Sequence, residues 1–260
     1  NLQAYTANLS KFGFTGGFII YPNRQNPLSA ETINVLNIAL SNIQSQLVMF
    51  KQNEHLIYIS STDPLSMLKN RRALQEFISL ENERLRRYKS KRKFVVQETV
   101  AFIDLDNFKY YNDTFGHDAG DLLISKFGQL LKNVFRRVDF IARFGGDEFV
   151  VILSDASCEE AKRVGERLFE SLKNSKYFIP ELESFLCHKV SIPKRRLMGF
   201  SMGICSNYDL KETSDLEQVL TNADRALYHS KKHGKGAISI WNEMKDSVPF
   251  GKNRHKKTEF

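Results

Sequence analysis

Cysteine is scarce. The three present, Cys158, Cys187 and Cys205, lie far apart in a chain of 260 residues. That spacing suits neither a metal knuckle nor a disulfide framework, and it points to a reducing, cytoplasmic setting. Long apolar runs are missing too. None approaches the ~18 residues of a membrane-spanning helix, so no membrane segment is expected. The chain opens on Asn1 with no signal-like stretch, which reads as a piece of a longer protein. Acids are absent from two basic stretches. Arg84 to Lys93 carries seven cations and Lys189 to Arg196 carries four, while Lys245 to Phe260 nets +3. The formal net charge is +8, so the remainder of the chain is acidic, at −6. Positive charge is thus confined to connectors and the tail. It reads as solvated or nucleotide-attracting surface, and no DNA- or RNA-binding motif accompanies it. With 42 % hydrophobic residues the chain can bury a sizeable core, and its length allows one to two domains.

The sequence centres on Arg143-Phe144-Gly145-Gly146-Asp147-Glu148-Phe149. Two apolar runs, Val138 to Ala142 and Phe149 to Leu153, flank the glycines, which predicts strand, tight turn, strand. Glycine permits positive φ and close approach of a ligand to the backbone. Asp147 and Glu148 follow at once and, as strand neighbours, are expected to face opposite sides. Taken alone, this is equally an ordinary hairpin with solvated acids. Some 40 residues upstream, the apolar strand Val100 to Ile103 is expected to deliver Asp104 and Asp106 at its end. A neighbouring strand would set Asp147 beside Asp104. Carboxylates on adjacent strand ends, next to a glycine turn, make an oxygen-rich site for Mg²⁺ and a polyphosphate.

Phe102-Ile103-Asp104-Leu105-Asp106-Asn107-Phe108-Lys109, Asn112-Asp113, Gly116-His117-Asp118-Ala119-Gly120-Asp121 and Gly145 to Phe149 follow in order. This series resembles the GGDEF family of diguanylate cyclases over roughly Thr62 to Trp241, and several motifs in the right spacing are far more specific than one. Asp63-Pro64-Leu65-Ser66-Met67-Leu68 is similar to the family's opening turn. Ser66 and Met67 replace its Thr and Gly, and Met67 disfavours positive φ, so a changed turn is expected there.

The rest of the chain reads in order. The strand Phe18 to Tyr21 and the turn-rich Pro22 to Pro27 precede a helix from Ala30 to near Ser60, with Ser29 as cap. Its apolar positions Ile33, Leu36, Leu40, Ile43, Leu47, Phe50 and Ile57 alternate three and four, the seam of a parallel coiled coil. A single amphipathic helix packed on its own domain is the alternative. The strand and helix together resemble the end of a GAF-like sensory module. The expected domains are therefore 1–29, the end of an upstream sensory domain; 30–60, a coiled-coil linker; 61–243, the catalytic domain; and 244–260, a basic tail. Within the third, helices are expected to follow Arg72, Asp118, Ser157 and Ser214. Asn174 to Arg196 is read as an extended surface hairpin. Leu197 to Cys205 is a buried central strand, and Ala237 to Trp241 closes the sheet. The order β-α-β-β-α-β-α-β gives an α+β fold, the ferredoxin-like palm of nucleotidyl cyclases with a mostly antiparallel sheet.

The resemblance implies a reaction: two GTP molecules join into cyclic di-GMP with release of two pyrophosphates, assisted by two Mg²⁺ (or Mn²⁺) ions per site. Carried over by position, Asp104 and Asp147 are metal carboxylates, the Leu105 carbonyl is a further ligand, and Glu148 holds the second metal or helps deprotonate the 3′-hydroxyl. Gly145, Gly146, Phe108 and Lys109 meet the phosphates, as do Lys231 and Lys235. Asn112 and Asp121 read guanine. Arg136 and Asp139, five residues before Gly145, match the family's inhibitory product site, with Arg163 and Arg167 completing it from the other protomer. One protomer binds one GTP, so a homodimer is implied. Two other readings stand beside the active cyclase: a catalytically silent receptor for GTP or cyclic di-GMP, and a nucleic-acid-binding module driven by the basic segments.

Overall fold

The computed structural model describes residues 5–8, 17–20, 29–90, 97–210 and 215–244. The Pro22 to Pro27 turn, the cap expected at Ser214 and the basic tail beyond Met244 lie outside these residues. The chain divides into two units, residues 1–60 and 61–260.

In the first unit, β1 (Tyr5–Asn8) pairs antiparallel with β2 (Gly17–Ile20), and α1 (Ala30–Ser61) follows. The Ser29 hydroxyl accepts the Thr32 N–H at 3.1 Å, which caps α1 at its start. Ile43, Phe50 and Ile57 of the seam are exposed, and so are Val35, Ile38, Met49 and Leu56.

In the second unit, α2 (Arg71–Ser90) leads to β3 (Glu98–Asp106), then α3 (Phe108–Phe115), α4 (His117–Val134), β4 (Phe140–Gly145) and β5 (Glu148–Ser154). α5 (Cys158–Asn174), α6 (Ile179–Leu186), β6 (Gly199–Ser206), α7 (Leu216–Lys232), β7 (Ile238–Ile240) and α8 (Trp241–Met244) complete it. The sheet order is β4-β5-β3-β6-β7, antiparallel except for β7, which runs parallel to β6. This is the α+β palm that the sequence pattern predicts.

Strand alternation sorts the core. Ala101, Ile103 and Leu105 of β3 join Phe127, Leu131, Leu168 and Phe200 on one face. Val100 and Phe102 join Leu74, Ile78, Val219 and Leu227 on the other. Each such large side chain contributes about 1.5–3 kcal/mol when fully buried. α7 packs on β6 at Gly203, where a Cβ would run into the backbone of Ala223, Ala226 and Leu227. That close approach sets the level at which Lys231, near the end of α7, meets the sheet.

Four expectations change. β3 does not stop at Ile103. It pairs with β6 as far as Asp106 opposite Gly199, so both aspartates are strand residues. Residues 176–196 are not a hairpin: 3-10 turns at Lys176–Phe178 and Lys194–Arg196 bracket α6. Pro180 in the first turn of α6 favours a helix start, and Phe178 and Leu182, four apart, are buried in the core. Met67 adopts φ 57 despite its side chain. The turn is held because Asp63 accepts from the Ser66 N–H and hydroxyl, both at 2.7 Å, and from the Met67 N–H at 2.9 Å; the left-handed residue costs about 1–2 kcal/mol. Finally, α7 is capped by Asp215, whose carboxylate accepts the Glu217 N–H at 3.1 Å.

Candidate active site

The register of β3 and β5 builds the site. Asp104 stands opposite Glu148, and the Leu105 N–H donates to the Asp147 carbonyl at 3.1 Å. Asp147 lies in the turn, one residue before β5 begins, so it and Glu148 are not strand neighbours in the simple alternating sense. Gly146 takes φ 49, the left-handed conformation the turn requires. Arg143 fixes this turn. Its Nε and Nη2 donate to the Gly146 carbonyl at 3.0 and 2.8 Å, and its Nη1 reaches both Asp63 carboxylate oxygens at 3.2 Å.

Asp104 is 4 % exposed. Its Oδ2 is ion-paired with Lys231 Nζ. Burial pushes its carboxyl up to about 6; Lys231 works against the rise, while the charges of Asp147 and Glu148 add to it. The three acids therefore repel one another across the strand ends. Asp106 is tied down differently. It accepts from Ser201 Oγ at 3.0 and 2.9 Å and from the Gly236 N–H at 2.8 Å. It thereby anchors the loop that carries Lys235, a residue itself at φ 61.

A pocket of about 360 Å³ opens here. Asp104, Leu105, Phe108, Lys109, Asp147, Lys231 and Lys235 line it. Phe108 and Lys109 sit at the first turn of α3, where unsatisfied N–H groups favour anions. Gly145, Gly146, Glu148, Asn112 and Asp121 are not among the residues that line the pocket. Those last two sit on α3 and α4. Gly120, beside Asp121, has no side chain because a Cβ would strike the Asn112 carboxamide and come within 3.2 Å of Phe108 Cζ. The absent side chain lets α3 and α4 pack closely where the Asn112 carboxamide meets Gly120.

Asn107, Tyr110, Asp113 and Arg196 also line the pocket. None was assigned a role from the sequence. For Arg196 the only signal was its place at the end of an acid-free basic stretch, and its partner residues lie some 90 positions upstream.

Arg136 and Asp139 form a turn on the link from α4 to β4. The Arg136 N–H donates to Asp139 Oδ2 at 2.8 Å and the Asp139 N–H to the Arg136 carbonyl at 3.0 Å. Burial raises the Asp139 carboxyl, opposed by that hydrogen bond and the Arg136 charge. Arg167 Nη2 donates to the Val134 carbonyl at 3.1 Å in the same chain. Ser157 holds the Glu160 carboxyl below its usual range through its N–H and hydroxyl, and Arg163 and Arg136 add to the effect. Arg136, Asp139, Arg163 and Arg167 thus gather on one surface of a single protomer.

The donor set fits a hard divalent cation. Asp104, Asp147 and Glu148 offer carboxylate oxygens whose mutual repulsion a cation would relieve. Among the described residues no group of three His, Cys, Asp or Glu side chains is close enough to form a ready-made cage. Mg²⁺ needs none, since it is commonly held by one or two carboxylates together with substrate phosphates.

Residues 60–237 match the family described as Diguanylate cyclase, GGDEF domain, and the chain belongs to that family. Diguanylate cyclase A of Treponema denticola is 28 % identical over 234 residues, which cover 90 % of this chain and 57 % of that protein. Diguanylate cyclase DgcP of Pseudomonas aeruginosa is 36 % identical over 180 residues, 69 % of this chain and 24 % of that one. The chain therefore spans between about a quarter and somewhat over half of these relatives. Among solved structures, the coiled coil and GGDEF domain of DgcB from Caulobacter crescentus, in complex with c-di-GMP, shares the fold with a TM-score of 0.60 at 22 % identity, covering 79 % of this chain and 98 % of that one. Diguanylate cyclase SiaD of Pseudomonas aeruginosa, in complex with its activator SiaC, superposes with a TM-score of 0.57 at 27 % identity, over 81 % and 73 %.

Proposed function

We propose that this chain is an active diguanylate cyclase, condensing two GTP into cyclic di-GMP and two pyrophosphates. The observation that carries the reading is the meeting of Asp104, Asp147 and Glu148 at adjacent strand ends, beside a pocket lined by Lys109, Lys231 and Lys235. Asp104 and Asp147, with the Leu105 carbonyl and Glu148, would hold two Mg²⁺ or Mn²⁺ ions, which when bound neutralise triphosphate charge and lower the pKa of the 3′-hydroxyl. The first turn of α3 and the lysines receive the phosphates. Asn112 and Asp121 orient guanine, Asp121 by accepting from its N1 and N2 donors. Gly146 and the Arg143 clamp keep the turn open to the reacting phosphate.

Each protomer supplies one GTP, so the ring closes only across a two-fold axis. The exposure of Ile43, Phe50 and Ile57 on α1 supports its role as a coiled-coil linker that raises the effective concentration of the partner domain. An upstream GAF-like sensory domain acting through this helix, in the cytoplasm, completes the reading. Truncation before Ser61 is expected to lower both activity and self-association, and unchanged values for both would remove the linker from the mechanism. Arg136 and Asp139, with Arg163 and Arg167, are the inhibitory site for product. Added cyclic di-GMP should slow the wild type and spare Arg136→Ala; equal inhibition of both would move the product site elsewhere.

The substrate is tested by incubating purified protein with Mg²⁺ and either GTP or ATP and resolving the nucleotides. Cyclic di-GMP from GTP, and no cyclic product from ATP, is the expected pattern. Consumption of both alike would overturn the assignment of Asp121. A silent receptor gains some support from the Lys231–Asp104 pair, which already satisfies a metal carboxylate; that reading requires GTP to bind and remain unchanged.

A further inference from the structure

Arg196 is held over the nucleotide pocket by the segment that the sequence left unassigned. Asn107, at φ 64 before α3, does not cap that helix with its side chain. Its Nδ2 donates instead to the carbonyls of Arg195 at 3.3 Å and Leu197 at 2.9 Å, the two residues flanking Arg196. One residue further on, the Met198 N–H donates to the buried Tyr111 hydroxyl at 2.8 Å. Three hydrogen bonds thus fix the backbone on both sides of Arg196 against the end of β3 and the start of α3. The guanidinium lies over the Tyr110 ring, 5.4 Å from its centroid, and lines the pocket. No ion pair among the described residues engages it.

Among the residues lining the pocket, Arg196 is the one guanidinium. The other cations are lysines, and one of them, Lys231, is paired with Asp104. An ammonium acts as a point charge, whereas a planar guanidinium meets two phosphate oxygens at once. Tyr110 supports the guanidinium plane and lowers the entropy lost on binding. Asn112 and Asp121, proposed to read the base, are not among the lining residues, and the polar part of the pocket is made by carboxylates and cations beside Leu105, Phe108 and Tyr110. That chemistry suits a polyphosphate and its metal rather than a purine.

We propose that Arg196 is a substrate ligand which binds the β- and γ-phosphates of GTP, and that residues 174–196 serve to deliver it. This inference rests on the reading of the pocket as the nucleotide site. The experiment measures dissociation constants for 3′-deoxy-GTP, which cannot cyclise, and for GMP, both with Mg²⁺. The proteins are the wild type, Arg196→Ala, Arg196→Lys and, as a control, Lys194→Ala. Arg196→Ala should weaken 3′-deoxy-GTP about ten- to a hundredfold, as expected for loss of charge-assisted hydrogen bonds. GMP binding should change by less than about twofold in the same variant, Arg196→Lys should recover only part of the loss, and Lys194→Ala should match the wild type. In steady state the KM for GTP should rise more than kcat falls. Melting temperatures read alongside separate a folding defect from a lost contact, and Arg196→Lys carries the test should the alanine variant be unstable. Equal weakening of 3′-deoxy-GTP and GMP, or no weakening, overturns the proposal, as does a wild type that does not prefer the triphosphate. A wild type that forms no cyclic di-GMP, yet loses its triphosphate preference with Arg196→Ala, would sink the cyclase reading and leave Arg196 in place.

Discussion

Lys231 of α7 and Asp104 of β3 are ion-paired through Nζ and Oδ2, with side chains only 17 % and 6 % exposed. The ammonium engages a carboxylate proposed as a metal ligand, so a cation held by Asp104 would compete with Lys231 for it. The pH dependence follows from the raised Asp104 carboxyl, at about 6 against an ordinary 3.8. In the metal-free protein the protonated form is favoured by folding. The associated stability is present below the ordinary value and is lost as pH rises through about 6. Metal binding needs the charged form, so Mn²⁺ or Mg²⁺ affinity should fall as pH drops below about 6. Lys231→Met removes a cation that holds this carboxyl down, and should move the acid limb of metal binding to higher pH. A titration by calorimetry across that range checks it. An unmoved limb would show that Lys231 does not govern the carboxylate.

Arg143 joins two turns, Asp63 at the start of the domain and Gly146 in the hairpin between β4 and β5. Burial alone would raise the Asp63 carboxyl; the Ser66 hydrogen bonds and then Arg143 overcome it and hold the group below its ordinary value. Its stabilisation is therefore present above that value and lost as pH falls through the lowered one. Arg143→Ala should cost about 1–2 kcal/mol at neutral pH and reduce kcat about tenfold by loosening the turn. Arg143→Lys should not rescue it, because one ammonium cannot serve the Gly146 carbonyl and both Asp63 oxygens together. Chemical denaturation and kinetics on both variants give the comparison, and full activity in Arg143→Lys would contradict it.

Gly120→Ala tests the proposed role of Asn112 in guanine binding. The added methyl meets the Asn112 carboxamide, an end of a side chain that can rotate away. The fold should survive while guanine recognition suffers. The KM for GTP is expected to rise about tenfold, within the ~1–3 kcal/mol range of a lost buried hydrogen bond, and discrimination against ATP to fall. Unchanged KM would remove Asn112 from guanine recognition.

Glu98 lies at the far end of β3 from Asp104 and is 1 % exposed. Burial pushes its carboxyl up to about 7, and the nearby Glu81 charge adds to this, against a hydrogen bond from Ser154 and the charge of Arg84. Folding again favours the protonated form, so this stability is full below the ordinary 4.5 and lost as pH rises through about 7. Glu98→Gln keeps an oxygen for the Ser154 hydroxyl and cannot ionise. It should raise stability above pH ~7 by about 1–2 kcal/mol, a few degrees in Tm, and change little at pH ~5. Thermal melts at the two pH values decide it; equal shifts at both would exclude ionisation as the cause.

The sequence carried most of this fold because its signals are local. The 3.6-residue pattern from Leu122 to Val134 gives α4, and the glycine-centred pair of apolar runs gives β4 and β5. The candidate site residues lie in short motifs at those element ends, so their placement in the fold was legible by position. What stayed hidden depends on contacts distant in sequence. The extent of β3 is set by pairing with β6, and Asp106 is explained only by Ser201 and Gly236. The pairing of Lys231 with Asp104, more than a hundred residues earlier, could not be read from the sequence. Arg196 had no periodic context. Its position depends on Asn107 and Tyr111 holding a segment whose helix was itself masked by aromatic and proline residues that resemble a loop.

The most direct measurement is product formation by the wild type, Asp147→Ala and Asp104→Asn under identical GTP and Mg²⁺, with nucleotides resolved by chromatography. Cyclic di-GMP from the wild type, reduced by about 10³-fold or more in both variants, is the expected result for carboxylates that hold the reacting metals. Cyclic di-GMP formed at similar rates by all three would contradict the assignment of these carboxylates. GTP bound and left intact by the wild type would contradict catalysis itself.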